Sequence, residues 1–273
     1  MSLVLLVVPG NQKNNMCLIF LSFNQHPDYP LIIAANRDEF YDRPATPIGL
    51  WSDYKNVLAG KDLTGGGTWL GVTKSGYFAM LTNYRNMSSI KANAPTRGKL
   101  VLDYLAGEFD AATYLKALDA SANLYNGYNI ILGTLDDPWY YSNQNHELFR
   151  LGTGLYGLSN ALLDTKWPKV ASGKERFKQI IAETALDFEA IFSLMFDKTL
   201  APDDQLPETG IGFEKEKLLS SRFIEMPGYG TRNTTVLVKD KHNNVQVVER
   251  TYTSADASTS EVKFDFSINS KGI

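Results

Sequence analysis

The sequence has 273 residues, 44% hydrophobic and 21% charged, which is enough to bury one large core or two small ones. The net charge of −3, without a run of lysine or arginine, gives no electrostatic reason to expect nucleic acid as a partner. A single cysteine excludes an internal disulfide and a cysteine-based zinc site and is typical of a reducing, cytoplasmic compartment, and no apolar stretch approaches the roughly 20 residues of a membrane-spanning helix.

The first fifteen residues, MSLVLLVVPGNQKNN, are expected to lie outside the functional fold. Their apolar run, Leu3 to Val8, is short and lacks both a basic start and a small-residue cleavage site, which argues against a secretory signal. We interpret residues 1–15 as a leader or as the result of a misassigned start codon. A single domain is predicted over residues 16–273, because Met16-Cys17 resembles a natural start.

The first predicted element is a hairpin. Apolar runs at Cys17–Phe23 and Leu31–Ala35 flank the loop Asn24–Pro30, which contains two prolines and an aspartate. With the loop centred near residue 27, antiparallel pairing sets position 17 opposite position 37. Cys17 is therefore predicted to lie beside the polar stretch Asn36-Arg37-Asp38-Glu39.

The remaining elements alternate between groups of strands and blocks of helices. Further strands are predicted at Thr68–Val72, Tyr77–Thr82, Tyr128–Leu135, Trp139–Ser142, Glu147–Leu151, Leu155–Leu158, Phe223–Met226, Asn233–Lys239 and Val245–Thr251. Helices are predicted at Gly98–Gly107, Asp110–Ala122, Pro168–Thr184, Asp187–Asp197 and Glu214–Ser220. The Ser/Thr-rich tail after Ser254 is expected to be loosely ordered. This order predicts an α+β fold with antiparallel sheets.

Cys17 is the candidate nucleophile, and it needs a base because the thiolate is the reactive form. The three histidines, His26, His146 and His242, lie in polar loop contexts and are expected at the surface. If Cys17 were the first residue, its own α-amine, with a pKa of about 7.7–8.0 against about 8.5 for a thiol, could accept the proton. The alternative is an ordinary buried cysteine in a strand.

The polar stretch after the second strand has two interpretations. One is a charged strand end with an internal ion pair. The other gives Asp38 the role of holding the Cys17 amine and gives Arg37 the role of stabilising thiolate or substrate charge.

A glycine-rich stretch precedes the third predicted strand. Gly65-Gly66-Gly67-Thr68 lacks the Gly-Lys-Ser/Thr ending of a phosphate-binding loop, and no helix pattern follows it. We interpret it as a tight turn that also suits close approach of backbone to a ligand. Trp69 is then either a core residue or the wall of a pocket.

Several ordered motifs carry a family resemblance. They are Met16-Cys17, Asn36-Arg37-Asp38-Glu39, Ala59-Gly60-Lys61-Asp62, Gly66-Gly67-Thr68-Trp69-Leu70-Gly71, Leu81-Thr82-Asn83-Tyr84-Arg85, Gly157-Leu158-Ser159-Asn160, Leu163-Asp164-Thr165-Lys166-Trp167-Pro168-Lys169 and Tyr229-Gly230-Thr231-Arg232. Together they resemble the NRDE family, also called the transport and Golgi organisation (Tango) family, from Met16 to about residue 250.

That family in turn resembles the N-terminal nucleophile hydrolases of the penicillin V acylase and choloylglycine hydrolase group. The resemblance implies a four-layer αββα sandwich and hydrolysis of the C–N bond of a small-molecule amide through a thioester, without a cofactor or metal. It implies as catalytic residues Cys17, Arg37, Asp38, Asn83, Asn160 and Arg232, and as substrate-binding residues Asn36, Glu39, Trp69 and Tyr84.

One departure concerns Arg37 and Asp38, which are adjacent here but a few residues apart in the acylases. Neighbours in a strand point to opposite faces, so both can address Cys17 only if the backbone bulges or turns there. Two alternatives to the enzyme are a non-enzymatic carrier, with Cys17 as a thiolate ligand of haem, and a fold whose site is inactive because residues 1–15 are retained.

Overall fold

The computed structural model of the protein describes residues 16–254 and 257–268, and these residues form two antiparallel sheets and five α-helices. The predicted leader, residues 1–15, lies outside the described residues. The strands are β1 (Met16–Phe23), β2 (Leu31–Phe40), β3 (Ala45–Leu50), β4 (Val57–Asp62), β5 (Leu70–Thr73), β6 (Tyr77–Asn83), β7 (Tyr128–Thr134), β8 (Asp137–Ser142), β9 (Leu148–Arg150), β10 (Gly154–Leu158), β11 (Glu225–Met226), β12 (Tyr229–Lys239), β13 (Asn244–Ser254) and β14 (Ala257–Ser267). The helices are α1 (Gly98–Gly107), α2 (Ala111–Ala120), α3 (Pro168–Ile181), α4 (Phe188–Met195) and α5 (Phe213–Leu218).

Each sheet has seven strands. The first, sheet I, has the order β10-β1-β2-β12-β13-β14, with the short β11 paired to β12. The second, sheet II, runs β3-β4-β5-β6-β7-β8-β9 in chain order. Sheet I therefore brings the first two strands beside the last long ones.

The alternation of side chains along β1 shows how the layers form. Ile19 and Leu21 belong to a cluster that also contains residues of sheet II, so they fill the space between the sheets. Leu18 and Phe20 belong to a second cluster, with α3 and α4. Both faces of β1 are thus buried, which is why its sequence is continuously apolar; each such side chain contributes roughly 1.5–3 kcal/mol.

The outer face of sheet II is covered in the same way. Val57, Ala79 and Ile130 pack there against α1 and α2. The layers are therefore helices, sheet I, sheet II and helices, which confirms the predicted αββα sandwich. Within the described ranges, no helix has the length and apolarity that a bilayer crossing requires.

Two sequence-based expectations about secondary structure need correction. The tail is not loosely ordered over residues 257–267, because β14 pairs there with β13. Val262, Phe264 and Phe266 alternate with exposed residues and pack on the core between the sheets, a period-two pattern that the Ser/Thr-rich start of the tail concealed. The strands β3 and β4 were not predicted.

Candidate active site

The register of the first hairpin places Cys17 as the sequence predicted. In the pairing of β1 with β2, Cys17 lies opposite Arg37 and Met16 lies opposite Asp38. The pairing continues without a shift to Phe23 and Leu31, so the length of the loop between the two strands sets the register. The cysteine is buried, with 7% of its surface exposed.

The side chains that share the thiol's face of sheet I are those of alternate β2 residues. Arg37 and Glu39 lie on this face, between the sheets, and are joined by an ion pair of 3.4 Å. The Arg37 guanidinium stacks 4.2 Å from the ring centroid of Trp69, which directly precedes β5 of sheet II. Glu39 also pairs with Arg43 at 3.3 Å. Arg37 is therefore held in place by one carboxylate and one aromatic ring.

Asn36 lies on the opposite face of β2, toward the helices. Its amide nitrogen donates to the carbonyls of Met195 and Arg222, both at 2.9 Å, and its oxygen accepts from the Thr234 hydroxyl at 2.6 Å. The structure thus does not bring the predicted substrate-binding residue Asn36 to the thiol. It brings Asn36 to the seam between sheet I and α4.

Asp38 also points to the helix face, and one of its oxygens is unused. Oδ1 accepts from the Thr231 hydroxyl at 2.6 Å, whereas Oδ2 is buried and, among the described residues, has no hydrogen-bond partner. No bulge in β2 turns Asp38 toward the thiol face; the register shift lies in β12, between Thr231 and Asn233. Arg37 and Asp38 therefore address different parts of the first strand, the thiol and the start of the strand.

The electrostatics of this group follow from burial. Desolvation, reinforced by the charge of Asp38, raises the pKa of Cys17 to about 12, against the opposing effect of Arg37. Desolvation also raises the pKa of Asp38 to about 6, although the ammonium of Lys169 opposes the shift. Lys169 is itself buried, and desolvation lowers its pKa to about 8. With a peptide bond before Cys17, burial therefore favours the protonated thiol, which is the less reactive form.

A cavity of about 440 Å³ opens on the thiol face. Its wall includes Cys17, Arg37, Trp69 and Asn83, and its far side is the segment Ala94–Gly98 at the start of α1. This size is within the range of small-molecule sites, about 300–1,000 Å³. Trp69 is thus part of the cavity wall, whereas Tyr84 is not among the lining residues.

The glycine-rich turn brings α1 to this cavity. A Cβ on Gly67 would lie 2.3 Å from the carbonyl carbon of Gly98, and the Thr68 N–H donates to the Gly98 carbonyl at 3.1 Å. We expected the backbone of this turn to approach a ligand closely. At Gly67 it instead approaches the backbone of Gly98. Its consequence is that the start of α1, at Arg97 and Gly98, lines the same cavity as Cys17.

Asn160 and Asn83 meet beside the thiol. The Asn160 amide nitrogen donates to the backbone carbonyl of Asn83 at 2.8 Å, and the neighbouring Ser159 hydroxyl donates to the Cys17 carbonyl at 3.1 Å. Asn83 lines the cavity and Asn160 does not. Ser159 and Asn160, which follow β10, therefore link β1 of sheet I to β6 of sheet II by hydrogen bonds.

Arg232 lies in the β12 bulge and forms hydrogen bonds with the turn after β2. Its Nη1 donates to the carbonyls of Phe40, Tyr41 and Arg43 at 2.9, 3.2 and 3.1 Å. Desolvation and the charge of Arg37 lower the pKa of Arg232, so the two guanidinium groups interact electrostatically. The structure places Arg232 near the site, with one nitrogen committed to the turn.

Sequence reasoning missed four charged residues around the site. Asp62 binds Arg43 at 2.7 Å, Lys169 approaches Asp38, and Arg97 lines the cavity. Asp62 and Lys169 are within quoted motifs, so the motifs themselves carried the signal. Arg43 and Arg97 lie outside these motifs, and their spacing along the chain does not predict that they lie near Cys17.

The prediction that all three histidines are at the surface was wrong for His26. His26 is 5% exposed; its Nδ1 accepts the N–H groups of Asp28 and Tyr29, so Nε2 donates to the Glu183 carbonyl at 3.1 Å. It stabilises the β1–β2 loop, at the other end of the strand from Cys17. His146 and His242 are exposed. No histidine lines the cavity within the described ranges.

Fold and site together define an αββα protein whose candidate thiol group lies at the start of its first strand. The chain belongs to the Transport and Golgi organisation 2 family, whose model matches residues 16–254. This confirms the resemblance inferred from the motifs.

The family relatives span most of this chain. The Transport and Golgi organization protein 2 homolog of Bos taurus is 37% identical over 262 residues, covering 88% of this chain and 95% of the relative. The Homo sapiens homolog is 35% identical over 277 residues, covering 93% of this chain and 100% of the relative. The protein of Drosophila melanogaster is 28% identical over 269 residues.

Two solved structures are similar to this chain over most of its length. A Caenorhabditis elegans N-acylethanolamine-hydrolyzing acid amidase ortholog superposes with a TM-score of 0.49 and 13% identity, covering 81% of this chain and 92% of that one. Penicillin V acylase from Agrobacterium tumefaciens superposes with a TM-score of 0.48 and 10% identity, covering 92% of this chain and 86% of that one.

Proposed function

We propose that the protein is an N-terminal cysteine amidohydrolase for a small molecule, active once Cys17 carries a free α-amine. The observation that carries the proposal is the unused, buried Oδ2 of Asp38, opposite Met16 in the β1–β2 pairing. Removal of the chain through Met16 would leave an amine where the peptide bond to Cys17 stood. A carboxylate with a free acceptor is suited to orient such an amine.

The proposed reaction begins with transfer of the thiol proton to this amine, since an α-amine with a pKa of about 7.7–8.0 is partly neutral near pH 7. The thiolate attacks the amide carbonyl carbon, and the C–N bond breaks as the ammonium protonates the leaving amine. The acyl group stays on sulfur as a thioester. Water, deprotonated by the α-amine, then attacks the thioester and releases the acid and the thiol.

The surrounding residues would have distinct roles in this reaction. Arg37, opposite Cys17, would stabilise the thiolate, since its charge already opposes the rise in the thiol pKa. Asn83 lines the cavity and is the candidate donor to the oxyanion, and Asn160 would assist by holding the Asn83 backbone. Arg232 would position the β2–β3 turn.

The state of the N-terminus tests the proposal. Intact-mass measurement of natively expressed protein is expected to give a mass that begins at Cys17; a mass that begins at Met1 would eliminate the mechanism for that form. Chain expressed from Met16, with Met16 removed, is expected to hydrolyse members of an amide panel. Cys17→Ala and the unprocessed 273-residue chain are expected to show only background turnover. Equal or absent turnover in all three would remove the proposal.

The haem-carrier hypothesis gains no comparable observation. Cys17 is the only cavity residue of the described chain that would ligate iron readily, and the wall around it carries Arg37, Arg43 and Asp62. A haem titration without a Soret change in wild-type protein and in Cys17→Ala would count against it. We further propose a cytoplasmic location, on the evidence of the single cysteine.

A further inference from the structure

Arg97 is a charged residue of the cavity wall. One of its nitrogens, Nη1, donates to the Gly127 carbonyl at 2.8 Å, which fixes the direction of the guanidinium. In the part of the chain that the structure describes, no carboxylate forms an ion pair with it. Desolvation lowers the pKa of Arg97 to about 10, and the charge of Arg43 adds to this shift, whereas the Cys17 sulfur and the Glu39 carboxylate oppose it. A guanidinium in such surroundings is stabilised by any anion that enters the cavity.

The other arginines of the cavity are already compensated. Arg37 pairs with Glu39 at 3.4 Å, and Arg43 pairs with Asp62 at 2.7 Å. Asp42 is exposed at the rim. The positive charge that remains inside the cavity is therefore that of one arginine, which matches a single carboxylate better than a multiply charged phosphate.

The start of α1 adds a second, independent attraction for an anion at the same place. Arg97 is the N-cap residue of this ten-residue helix, and no side chain caps its first turn. The first turn also contains no acidic residue. The contact of Gly67 with Gly98 holds this helix end against the cavity. The positive end of the helix dipole is thus uncompensated beside Arg97.

We propose that Arg97, with the start of α1, binds the carboxylate of an amide substrate whose scissile carbonyl lies at Cys17, so that the substrate class is N-acyl amino acids. The hydrolytic part of this statement rests on the function proposed above; the binding part does not. The guanidinium donates to the carboxylate oxygens, and the acyl group lies toward Trp69 and Arg37.

A matched ligand pair tests the binding part on unmodified protein. Calorimetric titration of the full 273-residue chain would compare N-benzoylglycine with N-benzoylglycinamide, which differ only in the charged group. Wild-type protein is expected to bind the carboxylate at least about tenfold more tightly, the usual contribution of a charge-assisted hydrogen bond. Equal affinities, or binding of neither ligand, would overturn the inference, and this comparison does not depend on any variant folding.

Substitutions then assign the effect to Arg97. Arg97→Gln is expected to remove the preference for the carboxylate without weakening the neutral ligand, and Arg97→Lys to retain part of it. Arg150→Gln, at an exposed arginine on β9, is the control and should change neither affinity. A preference that survives in Arg97→Gln, with a normal thermal unfolding curve, would also overturn the inference.

Turnover by the processed protein separates this inference from the proposed function. Arg97→Gln is expected to lower kcat/KM by about tenfold for the carboxylate substrate only. An equal loss for both amides would mean that Arg97 serves the Cys17 thiolate, and the inference would fall. Selective binding without turnover of either amide would leave the inference intact and remove the hydrolase proposal.

Discussion

Glu249 is a buried carboxyl whose ionisation should make the stability of the protein depend on pH. It lies on β13, 1% exposed; Oε1 accepts the Ile48 N–H at 2.7 Å and Oε2 accepts from the Thr235 hydroxyl at 3.0 Å. Desolvation between the sheets raises its pKa from 4.5 to about 7, against these hydrogen bonds and the charge of Arg37. The contact with Ile48 links sheet I to sheet II behind the candidate site.

The sign and size of the effect follow from linkage. At low pH the Glu249 carboxyl is protonated in both states, and its stabilising contribution is complete. As pH rises from 4.5 to about 7, the unfolded chain releases the proton while the folded protein keeps it, so the free energy of unfolding falls. At about 1.4 kcal/mol per pH unit, the loss reaches about 3 kcal/mol above pH 7.

Glu249→Gln removes the ionisation and keeps an oxygen for the Ile48 N–H and a donor for the Thr235 hydroxyl. Relative to wild type, the variant should gain about 3 kcal/mol of unfolding free energy between about pH 4 and pH 8. Urea unfolding of both proteins across this pH range measures the difference between their free energies of unfolding. The contributions of the other titrating groups cancel in this difference. Glu175→Gln, at an exposed residue of α3, is the control. A variant-to-wild-type difference that stays constant with pH would refute the reasoning.

Two further predictions concern contacts that shape the site. Gly67→Ala should lower the melting temperature and destabilise the protein by about 1–3 kcal/mol, because its Cβ would lie 2.3 Å from the Gly98 carbonyl carbon. Gly49→Ala is the control, because a Cβ there would have no atom within 4 Å. Equal melting temperatures for the two variants would contradict the prediction. Glu216→Gln should cost about 3–5 kcal/mol in urea unfolding, because it breaks the buried ion pair of 2.5 Å with Arg85. Adding Arg85→Met should recover part of that loss, and a double variant no more stable than Glu216→Gln would argue against the pair as its cause.

Much of the fold could be predicted because its signals are local. The hairpin of β1 and β2, the α+β order of elements and the start of α3 at Pro168 all depend on short apolar runs, turn residues and proline geometry. The strands β3 and β4 escaped prediction because Ala45–Leu50 contains a proline and exposed residues, and its pairing with β4 is irregular.

Within the candidate site, the difference between local and distant information is visible residue by residue. The placement of Cys17 opposite Arg37 needed only the length of one loop. The orientation of Asn36 toward α4 followed from strand alternation, but its partners, Met195 and Arg222, lie far along the chain. The stacking of Trp69 on Arg37 required both sheets to be in place.

The sequence by itself determined the family, the layers and the position of Cys17 at the start of a strand opposite Arg37. The motifs indicated the family, its resemblance to the N-terminal nucleophile hydrolases implied the layers, and the length of the loop between the first two strands predicted the position of Cys17. Only the tertiary structure decided that the start of α1 and Cys17 line one cavity and that, among the described residues, Arg97 forms no ion pair and Oδ2 of Asp38 accepts no hydrogen bond. These features arise where two sheets and a helix end meet, and no local pattern encodes the packing that joins them.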